Sequence, residues 1–113
     1  MLPNQFHANS MSELLNLDQM REISGLEFML GILDGRYPSP PIGKTLGYYL
    51  TKVAEGRVVF SGAPSFDAFN PMGTVHGGWY GTLLDSAMAC AVMTKVPKGS
   101  IYTTLEYKVN IIK

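Results

Sequence analysis

Disulfides, strong charge of one sign and long apolar runs are all missing from this sequence. The single cysteine, Cys90, excludes an internal disulfide. It lies in the apolar stretch Ala87 to Met93, where a small core residue outweighs a nucleophile. Charged residues make up only 16% of the chain, and nine basic residues balance nine acidic ones. That balance gives no electrostatic footprint for nucleic acid or for an anionic membrane. The longest apolar run, Leu83 to Met93, is broken by Asp85, so no segment reads as a membrane span. The basic-then-apolar layout of a secretory signal is also absent at the N-terminus. Together these absences point to the cytoplasm.

What is present suits one small globular domain: 113 residues, 46% of them hydrophobic. So short a chain buries a limited share of its surface, and association would add burial. Residues 1–10 show no periodicity and are expected to fray. Ser10 with Glu13 marks a short helix. A clearer start lies at Ser24 with Glu27 three residues on, a capping box flanked by Ile23 and Phe28 as a staple. Leu26, Met29, Leu30 and Leu33 follow at helical spacing, and Gly35 with Pro38, Pro40 and Pro41 stops the helix.

Strand patterns come next, over Leu46 to Ala54 and Arg57 to Gly62, with Glu55-Gly56 as the turn of a hairpin. Residues 63–75 read as a loop. From Gly77 to about Thr94 the chain is helical and apolar nearly all the way round, so it has to be covered on most sides. Val96 to Gly99 ends it. The last segment alternates, with Ile101, Thr103, Leu105, Tyr107, Val109 and Ile111 on one side, as a strand with one buried face does. The order is amphipathic helix, two strands, buried helix, strand, an α+β class.

Chemistry concentrates between Asn70 and Asp85. His76, Gly77 and Gly78 sit where a loop becomes a helix, and the first backbone N–H groups of a helix lack intrahelical partners. Glycine lets a carbonyl approach those donors, and such a turn can hold the oxyanion formed on attack. A tight loop-to-helix junction is the alternative use of the same glycines. Asp85 is an acidic residue inside the most apolar segment, where a carboxylate is costly unless paired. Such groups serve as general bases, or else bond a neighbouring hydroxyl such as Thr82 or Ser86. Asp85 lies eight residues beyond Gly77, about 12 Å along a helix axis. One carbonyl cannot reach both within one helix. If both act on one substrate, two copies of the chain supply them.

Asn70, Gly73, His76-Gly77-Gly78, Leu84-Asp85 and Ala87, followed by Tyr102 to Glu106, together resemble the motif of the phenylacetic-acid-degradation (PaaI-like) thioesterases of the hotdog superfamily. The similarity runs from about Ser24 to Ile112 and is strongest between Asn70 and Val109. It implies a hotdog fold, a curved antiparallel sheet wrapped around a long central helix, over residues 24–113, with residues 1–23 as a partly helical extension. It implies hydrolysis of an acyl-CoA to free acid and CoA in a homodimer or homotetramer. No metal is implied and no cofactor, coenzyme A being part of the substrate. Family members continue past Lys113 with an Arg-Pro pair and further strands, so the resemblance implies a hotdog domain lacking its C-terminal strands. An acyl-CoA-binding module without turnover, and an inactive fragment, are the alternative readings.

By the resemblance, Asp85 activates water or attacks the thioester, and the Gly77 N–H polarises the carbonyl. Asn70 helps to place the water or the acyl group. His76 supports the loop and contacts the substrate region, a purely structural role being equally open. Gly78 and Trp79 fall on the substrate side, and Thr104 matches a Ser/Thr position near the acyl group, with Thr103 competing if the strand bulges. Trp79, Tyr80 and Met88 are candidates to line an acyl pocket, with core packing as the alternative.

Overall fold

The computed structural model describes residues 1–112. Its elements are α1 (Leu17–Arg21), α2 (Gly25–Asp34), α3 (Pro41–Leu46), β1 (Tyr48–Ala54), β2 (Arg57–Gly62) and α4 (Gly77–Met93). The class is α+β, as expected: a two-stranded antiparallel sheet is packed with helices, and α4 is the longest element at 17 residues.

Helix α2 starts where its cap predicts, with Ser24 accepting from the Glu27 N–H at 3.1 Å, and stops at Gly35, whose φ of 85° is left-handed. Its buried face is Met29 and Ile32, not the whole expected stripe, since Leu30 is exposed. The hairpin turns at Gly56, φ 76°, as the Glu55-Gly56 pair requires. A bulge at Thr51 breaks the pairing between Leu50 and Lys52, and the Thr51 hydroxyl donates to the Val59 carbonyl at 3.1 Å. The extra residue shifts the alternation by one. Tyr48 and Leu50 face inward before it and Val53 after it, which leaves Lys52 in solvent.

Four departures from the sequence reading are local in origin. Residues 1–10 do not fray, because Ser39 bonds the Phe6 carbonyl and accepts from the Ala8 N–H, and Gln5 Nε2 donates to the Leu50 carbonyl at 2.9 Å. Ala8 is buried there. A capping box of Asn16 and Gln19 opens α1. The proline segment itself forms α3, with Pro41 at a position where a missing N–H is harmless, so β1 begins at Tyr48 rather than Leu46. Residues 101–112 form neither helix nor paired strand, and the expected buried face is missing: all but Val109 are exposed, Leu105 to 95%.

The core is Met29 and Ile32 of α2, Leu50 of β1 and Met93 of α4, with Phe28, Val53, Val58 and Phe60 around it. Three anchors seat α4 on this layer. Trp79 Nε1 donates to the Leu46 carbonyl at 2.7 Å, Ser86 Oγ meets the buried Tyr48 hydroxyl at 2.8 Å, and Thr94 Oγ1 accepts from the Gly56 N–H at 2.7 Å. These anchors recur about every two turns, so one side of α4 faces the hairpin. Tyr80, Leu84, Met88 and Val92 recur every four residues on the other side and remain exposed. No described helix is long and apolar enough to cross a membrane.

Gly25 fastens α2 to the end of α4: its N–H donates to the Val96 carbonyl at 2.8 Å, and a β-carbon there would fall 1.7 Å from the Met93 carbonyl oxygen. Gly25→Ala is expected to cost about 3 kcal/mol or more, as overpacking against rigid backbone does. Chemical denaturation checks this, and a loss below about 1 kcal/mol would refute the close approach.

Candidate active site

The loop before α4 is built by one side chain. Asn70 Oδ1 accepts from the N–H groups of Met72 at 2.9 Å and Thr74 at 3.2 Å, while its Nδ2 donates to Thr74 Oγ1 at 2.8 Å. Gly73 takes the left-handed turn at φ 79°, and Phe69 bridges to Val75. These bonds make a small closed turn, and the His76 N–H donates to the Ala68 carbonyl to aim it at the helix.

His76 is the N-cap of α4. Its Nδ1 accepts from the Gly78 N–H at 2.8 Å, so that nitrogen carries no proton. Gly78 is thereby occupied, whereas the Gly77 N–H has no hydrogen-bond acceptor among the described residues and points out from an exposed position. The first-turn donor left open is that of Gly77.

Asp85 is two turns further along and half-buried, not fully enclosed as the sequence suggests. The helix is uncovered on the side where Leu84 and Met88 emerge. Thr104 Oγ1 donates to Asp85 Oδ1 at 3.0 Å, and Oδ2 takes no hydrogen bond from any described residue. The hydroxyl on Asp85 is therefore that of Thr104. Thr82 bonds the Gly78 carbonyl and Ser86 bonds Tyr48. The charge of Asp85 is felt nearby. Burial first and Asp85 second push the Cys90 thiol up from 9.0 to about 11. Burial likewise raises the Tyr48 and Tyr102 hydroxyls, with smaller contributions from Cys90 and Asp85.

Residues 101–112 cross α4 beside these groups. Thr104 stands at Asp85, Tyr107 against Gly81 and Ile111 against Gly77. A β-carbon on Gly81 would come within 3.2 Å of the Tyr107 hydroxyl, and one on Gly77 within 3.2 Å of Ile111 Cδ1. Both glycines thus permit this close crossing. Behind Thr104 lies an apolar cavity of about 330 Å³, enclosed by Met29, Leu50, Phe60, Cys90, Met93 and Tyr102. The residues nominated from sequence as pocket walls lie elsewhere. Trp79 is buried with its N–H on Leu46 and belongs to packing, while Tyr80 and Met88 are on the exposed stripe. The cavity walls come from segments spread along the chain from His7 to Thr104, whose apolar residues look in sequence like ordinary core.

The structure therefore brings Asp85 and Thr104 together, and likewise His76, Gly77 and Gly78. It keeps the two groups on different turns of α4, with Asn70 facing its own loop. Among the described residues no cluster of three or more His, Cys, Asp or Glu side chains could hold a metal ion.

Comparison with known families places this segment. Residues 72–111, from the loop through α4 to Ile111, match the family model of the Thioesterase superfamily, whose fold is the hotdog. The match spans the free Gly77 donor, Asp85 and Thr104, and it points at the general level to thioester hydrolysis. No curated protein and no solved structure matches the chain.

Because the folded chain holds the Cys90 proton more tightly than the unfolded chain, its contribution to stability is complete below about pH 9 and is lost as pH rises through about 11. At pH 8.5 native Cys90 is expected to alkylate at least about tenfold more slowly than in urea. Asp85→Asn is expected to move its alkylation profile towards lower pH. A profile unmoved by that substitution would separate the two groups.

Proposed function

We propose that this chain hydrolyses acyl-CoA thioesters as a PaaI-like member of the hotdog superfamily. The observation that carries the reading is the state of Asp85: one oxygen is bonded by Thr104, itself a lining residue of an apolar cavity, and the other takes no hydrogen bond among the described residues. A carboxylate held in this way can take a proton from water or attack the carbonyl carbon itself. In the first route hydroxide adds to the carbonyl carbon, the C–S bond breaks and the CoA thiolate leaves with a proton. In the second route Asp85 adds to the carbonyl carbon and the C–S bond breaks with loss of CoA thiolate. Water then cleaves the acyl-aspartate anhydride to the free acid and the aspartate, its released proton going to the thiolate. Both routes develop negative charge on the carbonyl oxygen, and the open Gly77 N–H at the positive end of α4 suits that charge.

Asp85 and Gly77 stand about 12 Å apart along α4. One thioester therefore needs Asp85 from one copy and Gly77 from another, and the active form is a dimer or a pair of dimers. The cavity behind Thr104 takes the acyl group. Its apolar walls suit an aryl or medium-length chain and disfavour a charged one.

Asp85→Asn is expected to lower kcat about 10²- to 10⁴-fold with the melting temperature kept within a few degrees. Thr104→Val is expected to lower kcat about tenfold with little change in KM, and Thr104→Ser to restore it. A panel of aryl-, short- and medium-chain acyl-CoAs provides the assay. Full activity in Asp85→Asn would refute the enzymatic role, and ligand binding with no turnover by the unmodified chain would replace it with a binding role.

A further inference from the structure

Residues 9–20 form a strap along the apolar cavity, tied to the body of the fold at its two ends. Before it, Gln5 Nε2 donates to the Leu50 carbonyl at 2.9 Å, the Ser39 N–H to the Phe6 carbonyl at 2.7 Å and the Ala8 N–H to the Ser39 carbonyl at 3.0 Å. After it, the Arg21 carbonyl accepts from the Gly99 N–H at 2.9 Å, in the turn that leads to Ile101 and Thr104. Between these ties the strap bonds only to itself and its flanks. Among the described residues, each hydrogen bond of residues 9–20 reaches no more than four positions along the chain. Its polar residues Ser10, Ser12, Glu13, Asp18 and Gln19 are exposed, whereas Leu14 and Met20 are half-buried and line the cavity.

The other walls have a second duty. Met29, Leu50 and Met93 are the buried core itself, and the Tyr48 hydroxyl meets Ser86. Altering those side chains disturbs the fold along with the cavity. Leu14 and Met20 stand outside that core, so their size is free to shape the cavity. At about 330 Å³ the cavity is at the small end of ligand pockets, where one wall side chain decides what fits.

We propose that Leu14 and Met20 of the strap set the length of the acyl chain that the cavity accepts. The proposal rests on the hydrolase reading only in taking an acyl chain as the occupant. Both residues lie outside the matched region 72–111, so the chain-length preference is a property of this N-terminal segment and not of the matched one. Each further methylene group that enters an apolar cavity tightens binding about fourfold, and the gain ends where the chain meets a wall. Shortening a wall side chain moves that limit outward, and enlarging it moves the limit inward.

Straight-chain S-alkyl-CoA thioethers of increasing length test this on the full chain. They carry no carbonyl to attack, so calorimetry reads binding apart from turnover, and the matching acyl-CoAs read kcat/KM. Leu14→Ala and Met20→Ala are each expected to extend the limiting length by at least about one methylene group. Leu14→Trp is expected to weaken binding of chains at the original limit at least about tenfold and to spare shorter ones. Leu17→Trp, on the exposed side of the same strap, is expected to leave the limit where it is. Should Leu14→Trp fail to fold, the two alanine variants decide the matter. A limit that neither alanine variant moves, an equal loss at every chain length, or the same shift in Leu17→Trp would overturn the proposal. Absence of thioether binding would overturn it as well. A shifted limit without hydrolysis of any acyl-CoA supports the strap and refutes only the enzymatic reading. Hydrolysis with an unmoved limit refutes only the strap.

Discussion

A helix with almost no polar face has to be covered, and the rest of this chain is arranged around that requirement. One side of α4 is covered by the hairpin and α2 and held by the Trp79, Ser86 and Thr94 anchors. A second side is crossed by residues 101–112, where Gly77 and Gly81 let Ile111 and Tyr107 come close. The third side, the stripe from Tyr80 to Val92, has no cover within the chain. The groups suited to chemistry sit at the border between covered and uncovered sides. Asp85 is accordingly half-buried, with one oxygen bonded and the other open.

Elements whose signals are local were legible in the sequence. Ser24 and Gly35 bound α2, Glu55-Gly56 turns the hairpin, and the apolar run from Gly77 is α4. Misreadings arose where a second segment decides the outcome. The N-terminal residues look unpatterned, yet Ser39 and Leu50 hold them by backbone bonds that composition does not encode. Pro40 and Pro41 read as a stop, but a proline in the first turn of α3 is a start. The bulge at Thr51 has no glycine to announce it, and it decides that Val53 rather than Lys52 faces inward. The period-two alternation of residues 101–111 predicts a strand with one buried face, but the segment forms no paired strand and stays exposed apart from Val109. Alternation reports which side a residue takes, not whether a partner strand is there.

The candidate site was legible as residue types and less so as roles. The Asn70 to Asp85 stretch overlaps, from Met72 onward, the region 72–111 that matches the Thioesterase superfamily. Nothing in that spacing tells which polar atoms remain available after folding. Asn70 has both its side-chain oxygen and its nitrogen bonded to the Met72–Thr74 turn, and the Gly78 N–H is bonded to His76. Similarly, Trp79 looks like an acyl-pocket wall until its indole is found on Leu46. The apolar cavity is assembled from the N-terminal residues, α2, the proline segment, the hairpin, α4 and the segment after it, and no sequence window contains it.

Once those internal bonds are assigned, the Gly77 N–H and Asp85 Oδ2 have no hydrogen bond among the described residues, as is also true of His76 Nε2 and the Tyr80 hydroxyl. The first two differ in kind. A helix N-terminus stabilises negative charge as it develops, and a carboxylate supplies an electron pair or takes a proton. Acyl transfer needs both functions at opposite sides of one carbonyl group, a few ångströms apart, and α4 holds them about 12 Å apart. A straight helix cannot close that gap by bending, because the intervening turns carry the Trp79 anchor to Leu46 and the crossing at Gly81. The separation between the two groups within one chain is therefore fixed by the same contacts that seat the helix.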